Sequence, residues 1–221
     1  MQPTYLPWMG FFGMMKSVDL FVFLDDVQFA HRSWQQRNRI RVAGGEAWLT
    51  VPVTRPLGQR TPIDRVLVNY DQGFPDSHVA MLHSNYGRSP HFTEVVPDIE
   101  RILRARMAGL CDLNVSLTGF LANALGVETP TIMASALQVG GQQAELILNI
   151  CRIVGATEYV SAPGSAVYLD PFAGFASEGV SIEYFTFLHQ EYEQQYTPFV
   201  SHLSVVDAIA NQGAAWVSSI L

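Results

Sequence analysis

Apolar positions along the chain change their spacing several times, and each change marks an element. Residues 10–18 are a short apolar stretch closed by Asp19 and fit a helix. Leu20-Phe21-Val22-Phe23-Leu24 then follow without a polar break. A run that short and that rich in aromatics predicts a strand buried on both faces. It ends in Asp25-Asp26, and carboxylates at the end of a buried strand are costly unless paired, solvated or at work. Residues 37–42 and 47–53 flank Gly44-Gly45, which predicts a β-hairpin. Pro52 pushes its second strand toward an edge. A Pro/Gly/Arg loop covers 54–62, and Asp64 to Asn69 reads as another short strand.

From Pro75 the period is helical. Pro75-Asp76-Ser77 starts a helix that stops near Gly87. Helices over about 94–107 and 112–125 follow, the latter ended by Gly126. Then strand and helix alternate: a strand from Thr131 to Ala134, a helix from Gln142 to Val154 stopped by Gly155, a strand from Glu158 to Ser161, a helix over about 170–178, and a strand from Val180 to Phe187. Helices at 203–211 and 214–220 close the chain. Such alternation is the pattern of a parallel α/β sheet. The expected fold is one α/β domain over residues 1–221. It has a Rossmann-like, mostly parallel sheet flanked by helices, a small antiparallel hairpin insertion near residues 37–69, and a helical segment near 75–126.

Composition narrows the class. Hydrophobic residues make up 48% of 221 and charged residues 15%, the opposite of a disordered chain. A net charge of −7 removes any general basis for nucleic-acid binding. Cys111 and Cys151 sit in no CxxC or metal-ligand spacing and read as buried thiols of a reducing compartment. His78 and His83 are five apart, off the spacing of a helical metal pair. Met1-Gln2-Pro3-Thr4-Tyr5-Leu6-Pro7 lacks a basic start and an apolar leader, and no stretch approaches the ~20 apolar residues of a membrane span. The expectation is a cytoplasmic protein with no membrane span, cofactor or metal; a homo-oligomer is left open.

Four constellations could carry chemistry. Around Gly10, the Pro/aromatic segment from Gln2 to Phe12 precedes a helix, where backbone N–H groups can approach an anion. Asp25 to Arg41 is the densest polar stretch, with four of the 13 basic residues inside ten positions. Its arginine forks and amides suit phosphate or carboxylate recognition, and Trp34 could stack on a ring. Ser161 to Asp170 is a strand end with a Gly/Ser turn, where ligands bind in open α/β sheets. His189 follows a strand near carboxylates and could move a proton.

The residues Gln2-Pro3-Thr4-Tyr5-Leu6-Pro7-Trp8-Met9-Gly10-Phe11-Phe12, Asp19 to Phe29, and Ser33 to Ile40 resemble the opening of WbqC-like proteins. Trp48 to Val53, Asn85-Tyr86 with Pro90 and Phe92, Ile150-Cys151 with Gly155-Ala156, Tyr168-Leu169-Asp170, His189 with Tyr192 and Gln194, and Leu203 to Asp207 continue the resemblance along the chain. It implies a setting of bacterial O-antigen and nucleotide-sugar biosynthesis, with modification of amino sugars or transfer of acyl-type groups. The chain departs from the pattern where a Lys is usual, at Met14 and His31, and at Gln36, Ala162, Gln190 and Glu193. It also largely lacks the short strand usual before the Gln-Pro. The layout from Pro7 to Phe29 is similar to nucleotidyl-transferase-like domains as well. Trp8 and Phe11 replace the phosphate-binding histidines of those domains, which removes adenylyl transfer by histidine.

The reading is an enzyme for an activated, anionic small molecule: a nucleotide-linked amino sugar, or an acyl or aminoacyl donor, free or carrier-bound. Asp26 and His189 are the candidates for proton transfer, with Asp25 and His31 beside them. Tyr5, Trp8, Gln28, Arg32, Trp34, Gln35, Arg37, Asn38, Arg39, Ser161 and Tyr168 are the candidate substrate contacts. The alternatives are a thioester-processing transferase or cyclising enzyme using Cys151 with His189, and a non-catalytic binding protein.

Overall fold

The computed structural model describes residues 1–221. Helix α1 (Met9–Lys16) is buried along almost its whole length, with only Lys16 reaching solvent at the C-terminal end, where a cation suits the helix dipole. Strand β1 (Phe21–Phe23) follows. β2 (Arg37–Val42) and β3 (Gly45–Thr50) form the antiparallel hairpin, Val42 opposite Gly45 and Arg37 opposite Thr50. Gly45 has φ 134°, a conformation that favours glycine. β4 (Val53–Thr54) and β5 (Leu67–Val68) pair antiparallel beyond it.

Three helices, α2 (Asp76–Tyr86), α3 (Phe92–Arg104) and α4 (Leu110–Ala124), come next. On α3 the buried side chains are Val95, Val96, Ile99, Ile102 and Leu103, the one-sided stripe that drives a helix onto a core. Then come β6 (Thr131–Met133), α5 (Ala134–Leu137), α6 (Ala144–Val154), β7 (Glu158–Ser161), α7 (Ala166–Leu169), α8 (Gly174–Ser177), β8 (Ser181–Tyr184), α9 (Val205–Gln212) and α10 (Ala214–Ser219). The main core joins the N-terminal loop, α1, the hairpin residues Ile40 and Leu49, helices α2 to α4 and α9. A smaller core packs Ile147, Leu148 and Cys151 of α6 against Leu169, Phe175 and Val180.

The strands do not form the single parallel sheet expected from their alternation. β1 pairs parallel with β6, and β7 pairs parallel with β8, as separate ladders. An apolar cavity of about 310 Å³ lies between them, walled by Phe21, Val22, Cys151 and Tyr159 among others. Neighbouring strands lie about 4.7–4.9 Å apart when they share hydrogen bonds; here residues of β1 and β7 face the cavity instead, and no ladder joins the two pairs. Of the expected helix at 170–178 only α8 forms; a separate turn, α7, precedes it and ends at Leu169, and Pro171 has no N–H to continue it into α8. The expected strand at 180–187 stops at Tyr184. Phe185 donates to Ser161 O at 2.9 Å, and β7 ends there.

Residues 185–203 leave β8 as an irregular strap over the hairpin and N-terminal loop. Its anchor is Asp207 on α9, which is 0% exposed. That carboxylate accepts from Tyr86 Oη at 2.9 Å, Tyr192 Oη at 2.7 Å and Gln194 Nε2 at 2.8 Å. Gln194 in turn brackets Val200, accepting from its N–H at 2.8 Å and donating to its carbonyl at 2.9 Å. Arg41, buried in β2, donates to Pro198 O at 2.9 Å.

Candidate functional site

Two clefts open on either side of the Gln2–Trp8 loop. The larger, about 750 Å³, lies at the carboxyl end of β1 and the start of α6, and Gln2, Asp26, Gln28, Gln142, Gln143 and Tyr168 line it. The carboxyl ends of parallel strands are where α/β proteins bind ligands.

The Asp25-Asp26 pair divides at this strand end. Asp25 is buried, and its two oxygens accept from Ser135 N at 2.9 Å and Ser135 Oγ at 2.6 Å. It therefore ties the end of β1 to the turn after β6. Asp26 lines the cleft, and its Oδ1 is buried without a hydrogen-bond partner. Burial pushes its carboxyl above the usual value of 3.8, and the charges of Asp25 and Asp64 add to the push. Its own backbone N–H acts the other way.

Amides frame the cleft. Gln2 Oε1 accepts from Gln35 Nε2 at 2.7 Å, and Gln35 Oε1 accepts from Ala30 N at 2.9 Å. Gln28 Nε2 donates to Gln59 O at 2.9 Å. The turn before α6 is tight: a Cβ on Gly141 would stand 2.9 Å from Leu146 N, so only glycine lets the chain fold under the helix start.

The second cleft, about 280 Å³, is lined by Thr4, Trp8, Phe11, Trp34, Asn38 and His202. Gly10 does not present its backbone to a ligand. The Trp8 indole lies across it, 2.2–2.7 Å from where a Cβ would be. Trp8 also packs edge-on to Phe187 and faces His189 and His202. Asn38 Nδ2 donates to Tyr5 O at 3.2 Å and Leu6 O at 2.7 Å, which fixes the loop that carries Trp8. Trp34, at the rim of the cleft, sits 5.4 Å from Trp48 outside it. The Arg37 guanidinium lies 4.0 Å over Trp48. Arg39 pairs with both oxygens of Glu46, at 2.9 and 2.8 Å.

His189 lies on the strap beside this second cleft, apart from the residues lining the Asp26 cleft. Its Nδ1 donates to Gln190 O at 3.0 Å and its Nε2 accepts from His202 N at 3.3 Å. Both bonds suit the neutral ring, and burial and the nearby His202 lower its pKa. Cys151 walls the apolar cavity between β1 and β7, in a different setting from His189, and burial pushes its thiol up. Tyr5 is fully buried and its hydroxyl bonds His78 Nδ1 at 2.8 Å. Ser161 is buried with its Oγ 3.5 Å from Tyr159 Oη. His31 and Arg32 are exposed on the turn before Trp34.

The structure thus gathers Asp26, Gln28 and Tyr168 in one cleft, and Trp8, Trp34 and Asn38 in the other. It adds residues the sequence did not single out as contacts: Gln2, Gln142 and Gln143 in the first, Thr4 and His202 in the second. Gly140-Gly141 ahead of two glutamines was the one readable signal among these. His202 is set by a backbone φ of 58°, which no residue pattern announces. No group of three or more His, Cys, Asp or Glu is placed to hold a metal ion, and no helix is long and apolar enough to cross a membrane.

Comparison with known proteins gives two matches over nearly the whole chain. The model of the WbqC-like protein family matches residues 2–219. An uncharacterised protein of Mycobacterium tuberculosis (strain ATCC 25618 / H37Rv) is 30% identical over 215 residues, covering 96% of this chain and 92% of the relative. No solved structure gives a significant match.

Proposed function

The chain belongs to the WbqC-like protein family, and from that premise we propose that it is a cytoplasmic biosynthetic enzyme of the transferase type. Its substrate in this reading is a nucleotide-linked amino sugar that receives an acyl or aminoacyl group. The observation that carries the reading is Asp26, a carboxyl held above its usual pKa at a strand end, with one oxygen unpartnered, in a cleft framed by four glutamines. Glutamine amides both donate and accept, which fits the hydroxyls of a sugar. A carboxylate whose pKa is raised is a better base than an ordinary one.

The chemistry follows from that placement. As the sugar nitrogen or oxygen bonds to the acyl carbon, its proton passes to Asp26. The bond from the acyl carbon to the donor's thiolate or phosphate breaks, and the leaving group carries away the bonding pair. A thiolate then recovers the proton from Asp26; when the leaving group is a phosphate, Asp26 passes the proton to solvent. The buried, thiol-protonated state of Cys151 gives no support to a cysteine nucleophile.

The test is turnover of nucleotide-linked amino sugars with acyl thioesters, followed by mass spectrometry. Asp26→Asn is expected to lower kcat by about 10²–10⁴ while the fold is retained. In the wild type, kcat/KM should fall at acid pH as Asp26 takes up its proton. Asp25→Asn removes one cause of the raised pKa and should move that fall to lower pH. Wild-type turnover by Asp26→Asn would refute the assignment.

A further inference from the structure

We infer that the cleft of Trp8, Trp34 and His202 is a second subsite, built for a flat heteroaromatic ring that carries an anionic group, the chemistry of a nucleoside phosphate. The inference rests on the reading of the Asp26 cleft as the reacting end of the same site. The cleft's 280 Å³ is at the small end of ligand sites and suits one ring system.

Its walls are aromatic and one of them is fixed. Trp8 is seated on Gly10, flanked by Phe187 and His189, and tied by a backbone bridge to Ser204. The opposing Trp34 is 48% exposed and its neighbour Trp48 is 41% exposed. Trp48 already carries the Arg37 guanidinium, whereas nearly half of Trp34 is left bare for stacking. The edge of a ring would meet hydrogen-bonding groups: the His202 ring is engaged at Nδ1, by Ser201 Oγ at 2.8 Å, and Thr4 Oγ1 can still accept after donating to Gln2 O.

The nearest cations stand on the hairpin beside Trp34, outside the cleft's own lining. Arg39 is neutralised by Glu46, whereas Arg37, stacked on Trp48, has no carboxylate partner. An Arg fork stacked on an indole and free of a counter-ion is a phosphate-binding group.

The two clefts meet at the N-terminal loop: Gln2 lines the Asp26 cleft and Thr4, two residues on, lines the second, so a conjugate whose ring sits in one can present its other end to the first. Gln35, bonded to Gln2, and Trp34 repeat the same division on the facing turn.

The experiment is tryptophan fluorescence titration of the full chain with uridine diphosphate, adenosine diphosphate, the matching nucleosides and pyrophosphate. Saturable quenching by a diphosphate is expected. Trp34→Ala should weaken it about tenfold, the weight of one stacking face. Arg37→Gln should weaken the diphosphate about tenfold and leave the nucleoside unchanged. Gly10→Ala, which displaces Trp8, should weaken both, with thermal melts confirming that each variant is folded. Pyrophosphate binding as tightly as the diphosphates, no saturable quenching by any nucleotide, or wild-type binding by Trp34→Ala would each overturn the subsite. Asp26→Asn should bind diphosphates normally, so a failure of the base assignment reads differently from a failure of this one.

Discussion

Replacing Asp207 with alanine removes the single carboxylate that holds the 185–203 strap to α9. Three donors lose their acceptor: Tyr86 Oη, Tyr192 Oη and Gln194 Nε2, at 2.7–2.9 Å. A hydrogen bond to a charged group contributes about 1.5–3 kcal/mol, but simple addition overstates the loss. Burial raises the carboxyl's pKa, and the two tyrosines and Gln194 only partly offset it, so desolvation already consumes part of the gain. Breaking a buried charged network by removing one partner costs about 3–5 kcal/mol. Against a total of about 5–15 kcal/mol, the variant should fold but be fragile. Urea unfolding followed by fluorescence should show the loss, with earlier proteolytic cleavage within the strap. Asp207→Asn should cost less, because the neutral form is the one the site already favours. The sign agrees: a folded pKa above 3.8 gives stability that is full below 3.8 and lost as pH rises through the folded value. The Asn variant should therefore lose less stability across that range. A loss under about 1 kcal/mol for Asp207→Ala, with unchanged cleavage, would refute the anchoring role.

Two further outcomes follow from buried groups. His78 accepts from Tyr5 Oη and donates to Thr50 O, and burial lowers its pKa from 6.5 to about 4. A lowered histidine contributes stability that is full above 6.5 and lost as pH falls toward 4, about 3 kcal/mol at most. Thermal melts between those pH values should show less acid destabilisation in His78→Gln than in the wild type; equal slopes would dismiss the assignment. Burial pushes the Cys111 thiol up to about 12 and raises that of Cys151, so iodoacetamide at pH 8 should label neither in the native protein and both in urea. Native labelling of Cys151 at the rate of a free thiol would reopen the cysteine mechanism.

Much of the local structure was legible in the residues. The apolar run at Leu20 to Leu24, the hairpin flanking Gly44-Gly45, and the helical stripe of α3 all appear where their periodicity puts them. So does the helix stop at Gly155, which has φ 70°. These depend on near neighbours, and a sequence states its near neighbours directly. Asp25 and Asp26 were visible as costly carboxylates. Which of them would be paired was not, because Ser135 lies 110 residues away. Gly10 was visible as a place where something comes close, but the indole that fills the space belongs to Trp8 two residues earlier.

The sequence by itself carried the family, through the resemblance of its quoted segments, together with most of the helices and strands and the polar stretch from Asp25 to Arg41. The elements follow from spacings of two to four residues. The tertiary structure alone decided that the parallel strands pair in twos around an apolar cavity, and that His189 lies on the strap, apart from the cleft that Asp26 lines. It also decided that Gln2, Gln142 and Gln143 line the Asp26 cleft and His202 the second. Each of these depends on contacts between distant segments, where packing and buried charge choose among arrangements that the local pattern permits equally.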